Sequence, residues 1–402
     1  MQLNSIVFYI WIVSIISLFL PFTAYVIPFS VFILFVFIDK KNYFLNKIAF
    51  YRVCLIFVFV VLATFSHILN KDVSDIQQYI KLFLNFLFLI SFILFTVSGN
   101  KYEFFYSKRI IIQKTLEFII FLTFVQVIVN VYIMNLWSMP FVGVQNSMDA
   151  YQIIEPTIFF GTKEKNIWAT KFVFLSIVYY AFITHKIFYV SKKKRVVMSF
   201  LILFNILYTF SRTAQVMFVS FVFMYYIWKI FYIYKNYLLK IIAIFSLSII
   251  SILAGVVIVD KLLHITLSSG DGLAARLELW EALYLHLDKM NIFIGNGILS
   301  AQYIISYYTN WNNNNFHNVF LNIFSDMGVF GLISYSFLLL SIFSYRGLFK
   351  YDNRYINLVF FIPFFVCINS QYLGFDSDII IYFSFVFLFS LFRLNKLELN
   401  QQ

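Results

Sequence analysis

Charge is what this 402-residue chain has least of: Asp, Glu, Lys and Arg supply 12% of its residues, about half the share of an ordinary soluble domain. Since 62% is hydrophobic and 22% aromatic, a water-soluble fold is excluded. The apolar residues run from Ile6 to Phe392, which also excludes a small core beside a disordered tail. Cysteine is nearly absent. Cys54 and Cys367 both sit in apolar runs with no second Cys or His at ligand spacing, so neither a zinc site nor a disulfide framework is expected and both read as packing residues. No Lys or Arg precedes the first apolar run, and no A-x-A-like cleavage site follows it; that run is expected to be a retained helix. Walker loops, dinucleotide fingerprints, HExxH and EF-hand patterns are missing, as are internal repeats and low-complexity linkers. No cofactor and no metal are expected. The net charge of +12 would suggest nucleic acid for a soluble protein, but in a membrane protein it reflects basic cytoplasmic loops. Nucleic acid is not an expected partner; membrane lipid is.

What is present in abundance is apolar sequence of membrane-spanning length. Breaking the chain at charges and turn residues gives about twelve segments: 5–20, 23–38, 48–69, 80–97, 110–136, 168–190, 196–210, 214–234, 241–259, 319–345, 356–373 and 379–392. With about 20 residues per crossing, residues 1–402 read as one integral membrane domain, an all-α polytopic helical bundle of about 12 transmembrane helices. Alternate connections carry 18 Lys/Arg against 4 acids, and the others 7 Lys/Arg against 12 acids. By the positive-inside rule the first set is cytoplasmic, together with both termini. A multi-pass protein of a bacterial inner (cytoplasmic) membrane is the expectation. Two extracytoplasmic loops, 135–167 and 260–316, are long enough to carry function. Within the second, Leu273 to Met290 reads as an amphipathic helix with Leu273, Leu277, Trp280, Leu283, Tyr284 and Leu287 on one face.

Four polar positions stand out against this background. Arg276 falls inside the apolar face of that helix, where a guanidinium needs an anion of matching geometry; it either snorkels, pairs with Glu278, Glu281 or Asp326, or receives an external phosphate or carboxylate. Arg212 lies in the short connection Ser211-Arg212-Thr213 on the side that otherwise avoids basic residues. With the Ser211 and Thr213 hydroxyls it forms either an anion site at the membrane surface or a headgroup anchor. His317 follows the asparagine run Asn312 to Asn315 and precedes a helix expected from Val319; the positive end of the helix dipole favours a neutral ring. That ring could act as a general base or could cap the helix. Asp326, two turns into the same helix, is an intramembrane acid expected to support a neighbouring helix or an arginine. Lys114 and Glu117, three residues apart, are expected to pair with each other near the cytoplasmic surface.

Phe210-Ser211-Arg212-Thr213-Ala214, then Ala275-Arg276-Leu277-Glu278-Leu279-Trp280, Ile294-Gly295-Asn296-Gly297, Phe316-His317-Asn318 and Gly328-Val329-Phe330-Gly331 together resemble the O-antigen polymerase and O-antigen ligase superfamily. The resemblance covers about residues 200–345. It implies metal-independent glycosyl transfer outside the cytoplasm, from a glycan on an undecaprenyl diphosphate carrier. It further implies that Arg212 and Arg276 hold the diphosphate and that His317 serves as the base; Ser211, Thr213, Asn318 and Asp326 are supporting candidates from their own positions in the sequence. Implied partners are the undecaprenyl-diphosphate-linked oligosaccharide, a chain-length regulator and a flippase. The motifs do not separate polymerase from ligase; length, composition and modest outer loops favour the polymerase. A flippase or transporter remains as an alternative of another class, and would be expected to carry internal repeats, broken midplane helices and its functional charges at membrane depth instead of in one outer loop; the reading of the sequence is the reverse.

Overall fold

The computed structural model of the protein describes residues 2–20, 24–38, 47–97, 101–133, 137, 165–209, 211–232, 237–238, 241–242, 272–311, 313–344, 354–368 and 372–399. Apolar runs in which glycine and proline are rare favour helix, and no strand occurs among the described residues. The longer helices are α1 (Gln2–Ser17), α2 (Val26–Ile38), α3 (Lys47–Leu69), α4 (Ile76–Val97), α5 (Lys101–Ser107), α6 (Arg109–Ile133), α7 (Lys165–Thr184), α8 (Lys192–Tyr208), α9 (Arg212–Tyr232), α10 (Gly272–His286), α11 (Ser300–Tyr308), α12 (Val319–Phe343), α13 (Arg354–Cys367) and α14 (Ser377–Leu399). Five of them, α3, α4, α6, α7 and α12, are long and apolar enough to cross a bilayer, and α1, α2, α9 and α14 hold shorter apolar stretches. The expected segment 241–259 lies outside the described residues apart from its first two, and the loop 135–167 lies outside them apart from Trp137 and the start of α7.

The centre of the bundle is α14, whose side chains are buried on every face from Ser377 to Ser390. A helix apolar all round belongs in that position. Its aromatic rings interlock with neighbours: Phe385 lies 5.3 Å from Trp11, which stacks on Phe92, and Tyr382 lies 4.4 Å from Phe174. Phe57, Phe118 and Val219 point away from the bundle, where lipid would cover them.

Hydrogen bonds fix which helix ends lie together. Asn85 Nδ2 donates to Phe375 O (2.7 Å), Asn322 Nδ2 to Tyr372 O (2.9 Å), and the Val319 amide to Ile368 O (2.8 Å). Thr170 and Tyr372 share a hydroxyl bond of 2.7 Å, and Lys81 meets Asp376 at 3.4 Å. Thus the starts of α4, α7, α12 and α14 and the end of α13 share one end of the bundle, joined there by the end of α3 through Ser66, which donates to Asp326 O. At the opposite end Arg52, near the start of α3, donates from Nε to Ser341 O (3.1 Å) and from Nη2 to Ser344 O (2.7 Å), and lies over the Phe387 ring. These directions match the alternation of basic and acidic connections along the sequence.

Two local expectations are corrected. Glu117 does not pair with Lys114, which is exposed; it meets Lys194 Nζ at 2.6 Å and also accepts from Gln113 Nε2 (2.9 Å) and Tyr179 OH (3.2 Å). Three residues along the helix carry Lys114 away from the buried Glu117, whereas the start of α8 delivers a cation from across the helix interface. Lys194→Met is expected to lower thermal stability in detergent more than Glu117→Gln, by about 1–3 kcal/mol, because it leaves a buried carboxylate short of its cation while Lys194 can turn to solvent.

The second correction concerns α12, which is broken. Gly328 adopts φ 64, ψ −163 inside it, and the segment Asn291 to Ile298 docks against the break. Val329 N donates to Ile292 O (2.8 Å), Phe330 N to Phe293 O (3.3 Å), Asn296 N to Ser325 O (2.8 Å) and Gly297 N to Asp326 O (3.1 Å). The break in α12 was illegible in the sequence, whereas charges inside membrane-length helices, such as Arg52 and Lys81, were in view there and were passed over.

Candidate active site

At the end of the bundle where α12 starts lies a small apolar cluster in which Leu279, Ala282 and Leu283 of α10 pack against Ala301, Ile304 and Ile305 of α11, with Met290 and Phe316. The helix expected in this loop therefore forms, with its packed face turned toward Leu279, Ala282 and His286. Tyr284, expected on that face, is 72% exposed, because α11 and Phe316 cover the other side. Trp280 Nε1 donates to Phe316 O at 2.9 Å and so fastens α10 to the residue preceding His317. Arg276 lies one turn before Trp280 on the same stripe and is half-buried.

The asparagine run shapes the backbone around His317. Asn315 Oδ1 accepts from the His317 amide (2.9 Å), its Nδ2 donates to Asn314 Oδ1 (2.8 Å), and Asn322 Oδ1 accepts from the Phe316 amide (2.8 Å). His317 itself is held at φ 53, a left-handed conformation that side chains seldom adopt and that tends to collect at functional sites. Asn318 caps α12, accepting from the amides of Phe320 (2.9 Å) and Leu321 (3.2 Å). Capping is thus the task of Asn318, leaving the His317 ring for other work.

The half-buried His317 ring is pushed down to a pKa of about 4, first by burial and then by the Arg276 guanidinium. Burial and a neighbouring cation both favour the neutral imidazole. The Trp280 bond to Phe316 O, one turn along α10 from Arg276, and the charge that the His317 ring feels place Arg276 near His317. Asp326 sits deeper, accepting from the Ser300 amide (3.0 Å) and hydroxyl (3.1 Å), while Ser300 and Ser325 share a 2.7 Å bond. It supports α11 and the docked segment, as a neighbouring-helix role requires. Glu278 accepts from Trp311 Nε1 at 2.6 Å.

Ser211 is buried at the start of α9, its Oγ accepting from the Ala214 amide at 3.4 Å. Thr213 is half-buried. The backbone of Arg212 opens α9, and its side chain lies outside the described residues. Sequence reasoning passed over a polar network at the same end of the bundle, where Lys81 pairs with Asp376, Lys171 Nζ donates to Leu18 O (3.5 Å), and Tyr372 donates to Asp378. Lysines inside apolar runs were the available signal. Among the described residues no group of three or more His, Cys, Asp or Glu is placed to hold a metal ion.

No match is found among curated proteins. The family model described as O-Antigen ligase matches residues 197–336, a stretch that runs from within α8 to within α12 and contains Arg212, Arg276, His317 and the docked segment at the α12 break; over this stretch the chain is similar to the O-antigen ligase and polymerase superfamily.

Proposed function

We propose that the protein is a surface-polysaccharide (O-antigen) polymerase, joining undecaprenyl-diphosphate-linked repeat units on the extracytoplasmic face of a bacterial inner membrane. About twelve crossings with both termini in the cytoplasm complete the reading. The observation that carries it is the juxtaposition of Arg276 with a neutral His317 inside the family-matched stretch. In the proposed reaction His317 takes the proton from an acceptor sugar hydroxyl as its oxygen attacks the donor's anomeric carbon. The bond from that carbon to the diphosphate oxygen breaks, and the electron pair leaves with the lipid diphosphate, whose charge Arg212 and Arg276 receive. One in-line displacement inverts the anomeric configuration. A chain-length regulator and a flippase would act beside it.

The likeness of residues 197–336 to the O-antigen ligase family favours a second reading, an O-antigen ligase that transfers finished polymer to lipid A-core. Transport is less well supported even with a broken α12. The backbone groups at the break are satisfied by the chain's own Ile292, Phe293 and Asn296, whereas a transporter's broken helix would leave such groups facing its substrate.

Deleting the gene and separating the surface polysaccharide on a gel tests the class. A single repeat unit on the core indicates a lost polymerase, bare core with carrier-linked polymer a lost ligase, and absence of extracytoplasmic lipid-linked units a lost flippase. Arg212→Ala and Arg276→Ala are each expected to abolish turnover in protein that still inserts, with Lys a partial substitute for lack of the bidentate fork. Full activity in both variants at normal expression overturns the diphosphate assignment. A cysteine placed at Asn313 is expected to react with an impermeant reagent from outside the cell and one at Lys193 to stay protected; the reverse pattern rejects the compartment.

A further inference from the structure

A polar cleft of about 620 Å³ opens between the turn joining α3 to α4 and the helix α11, lined among others by Ser74, Asp75, Gln77, Gln302, Tyr303 and Ser306. It is distinct from the Arg276–His317 site. On α11 the lining residues Gln302, Tyr303 and Ser306 occupy one face, and Ala301, Ile304 and Ile305, which pack toward α10 and Phe316, occupy the opposite one. Both walls are fixed: the Asp75 amide donates to Ile298 O (2.9 Å) and the Ile298 amide to Ser74 Oγ (2.9 Å). Asp75 Oδ1 caps α4 by accepting from the amides of Gln77 (2.7 Å) and Gln78 (3.1 Å).

We propose that this cleft is a saccharide subsite, holding sugar units of the polysaccharide chain away from the bond being made. The proposal rests on the reading of the protein as an enzyme that joins glycans. Its volume falls within the range of small-molecule sites, about 300–1,000 Å³. The lining carries no Lys or Arg, and its one charge is the acidic Asp75, which disfavours a diphosphate. Its polar character disfavours an acyl chain. Exposed side-chain amides at Gln77 and Gln302 each offer two donors and an acceptor, the complement of a pyranose hydroxyl array. Tyr303, 48% exposed, supplies an aromatic surface for the C–H face of a sugar ring. That ring is held in place, with His286 against it edge-on at 6.2 Å and Tyr307 beside it at 6.3 Å. A growing polysaccharide extends well beyond its reacting unit, so a second contact across α11 from His317 would retain the chain between additions.

The test uses the full-length protein in lipid nanodiscs, and as probe the repeat-unit oligosaccharides released by partial acid hydrolysis from the producing strain's own surface polysaccharide. Saturation-transfer NMR and titration calorimetry are expected to show binding to the wild type and to His317→Gln alike. Tyr303→Ala and the double variant Gln77→Ala/Gln302→Ala are expected to weaken it about fivefold to tenfold with unchanged melting temperature, since all three side chains are exposed. In turnover these variants should raise KM for long acceptors and shorten the product, with kcat on the shortest acceptor unchanged. No binding by the wild type, or equal affinity in wild type and both variants, overturns the subsite. Weakened binding in the cleft variants together with no turnover of lipid-linked donor by the wild type leaves the subsite standing and rejects the reading as a glycan-joining enzyme, so the two can fail separately.

Discussion

His317→Ala is expected to lose about 100-fold to 10,000-fold in turnover with purified lipid-linked donor, the usual contribution of a positioned general base, and to keep its affinity for that donor because the arginines remain. His317→Gln is expected to be impaired to the same degree, since an amide can hydrogen-bond but cannot take the proton. Near-wild-type rates for Gln would make His317 a positioning residue, and retention of anomeric configuration would reject direct displacement. The pH dependence adds a second readout. Burial first, and Arg276 second, hold the His317 ring at about 4, below its ordinary value near 6.5. The basic form therefore persists to low pH in the free enzyme, and the acidic limb of kcat/KM is expected well below 6.5. In Arg276→Lys that limb should stay low, because the cation is kept. In any residual activity of Arg276→Ala it should rise partway, since burial remains. For stability the sign runs the other way: between pH 6.5 and about 4 the unfolded chain binds a proton at this position that the folded chain does not, so the protein loses stability as pH falls through that window.

Gly328→Ala is expected to undo the outer layer. Gly328 occupies a backbone region almost restricted to glycine, and a Cβ there would lie 2.3 Å from the Phe293 carbonyl carbon. Strain and overpacking together amount to about 2–6 kcal/mol. Gly295→Ala meets the same obstacle from the other side, with its Cβ 2.4 Å from the Asp326 carbonyl carbon at φ +81. Both variants should melt earlier in detergent, expose the segment around Asn291 to protease and lose turnover. Ser336→Ala, farther along α12, serves as the control with little expected change. Wild-type melting and protease resistance in Gly328→Ala would show that the segment is not held by this contact.

Long apolar runs made most of the helices legible, and the charge alternation agrees with which helix ends lie together. The link between Arg276 and His317 was legible only as two separate oddities. What joins them is the Trp280 bond to Phe316 O, a contact between stretches more than thirty residues apart that no periodicity records. Other features were hidden for related reasons. Gly328-Val329-Phe330-Gly331 reads as continuous membrane helix, because the partner that tolerates the break, Ile292 and Phe293, lies elsewhere in the chain. The packed face of α10 depends on where α11 lies, and Glu117 chose Lys194 over Lys114 because burial, which sequence spacing does not encode, decided the partner. The cleft beside Tyr303 combines two segments whose residues are individually ordinary.

The broken helix also constrains how the protein is made. Gly297 bonds Ser66 across 231 residues of chain, and the same segment closes the gap at Gly328. During synthesis the end of α3 is produced long before the segment that will rest on it, whereas Asn291 to Ile298 precede Gly328 by only a short stretch. When α12 enters the bilayer, its interrupted backbone has unpaired groups that lipid cannot satisfy. The docking segment is needed at that moment, so assembly of the layer around α10 and α11 and insertion of α12 become one event, and a chain stopped before α12 would present α3 with an unfilled end.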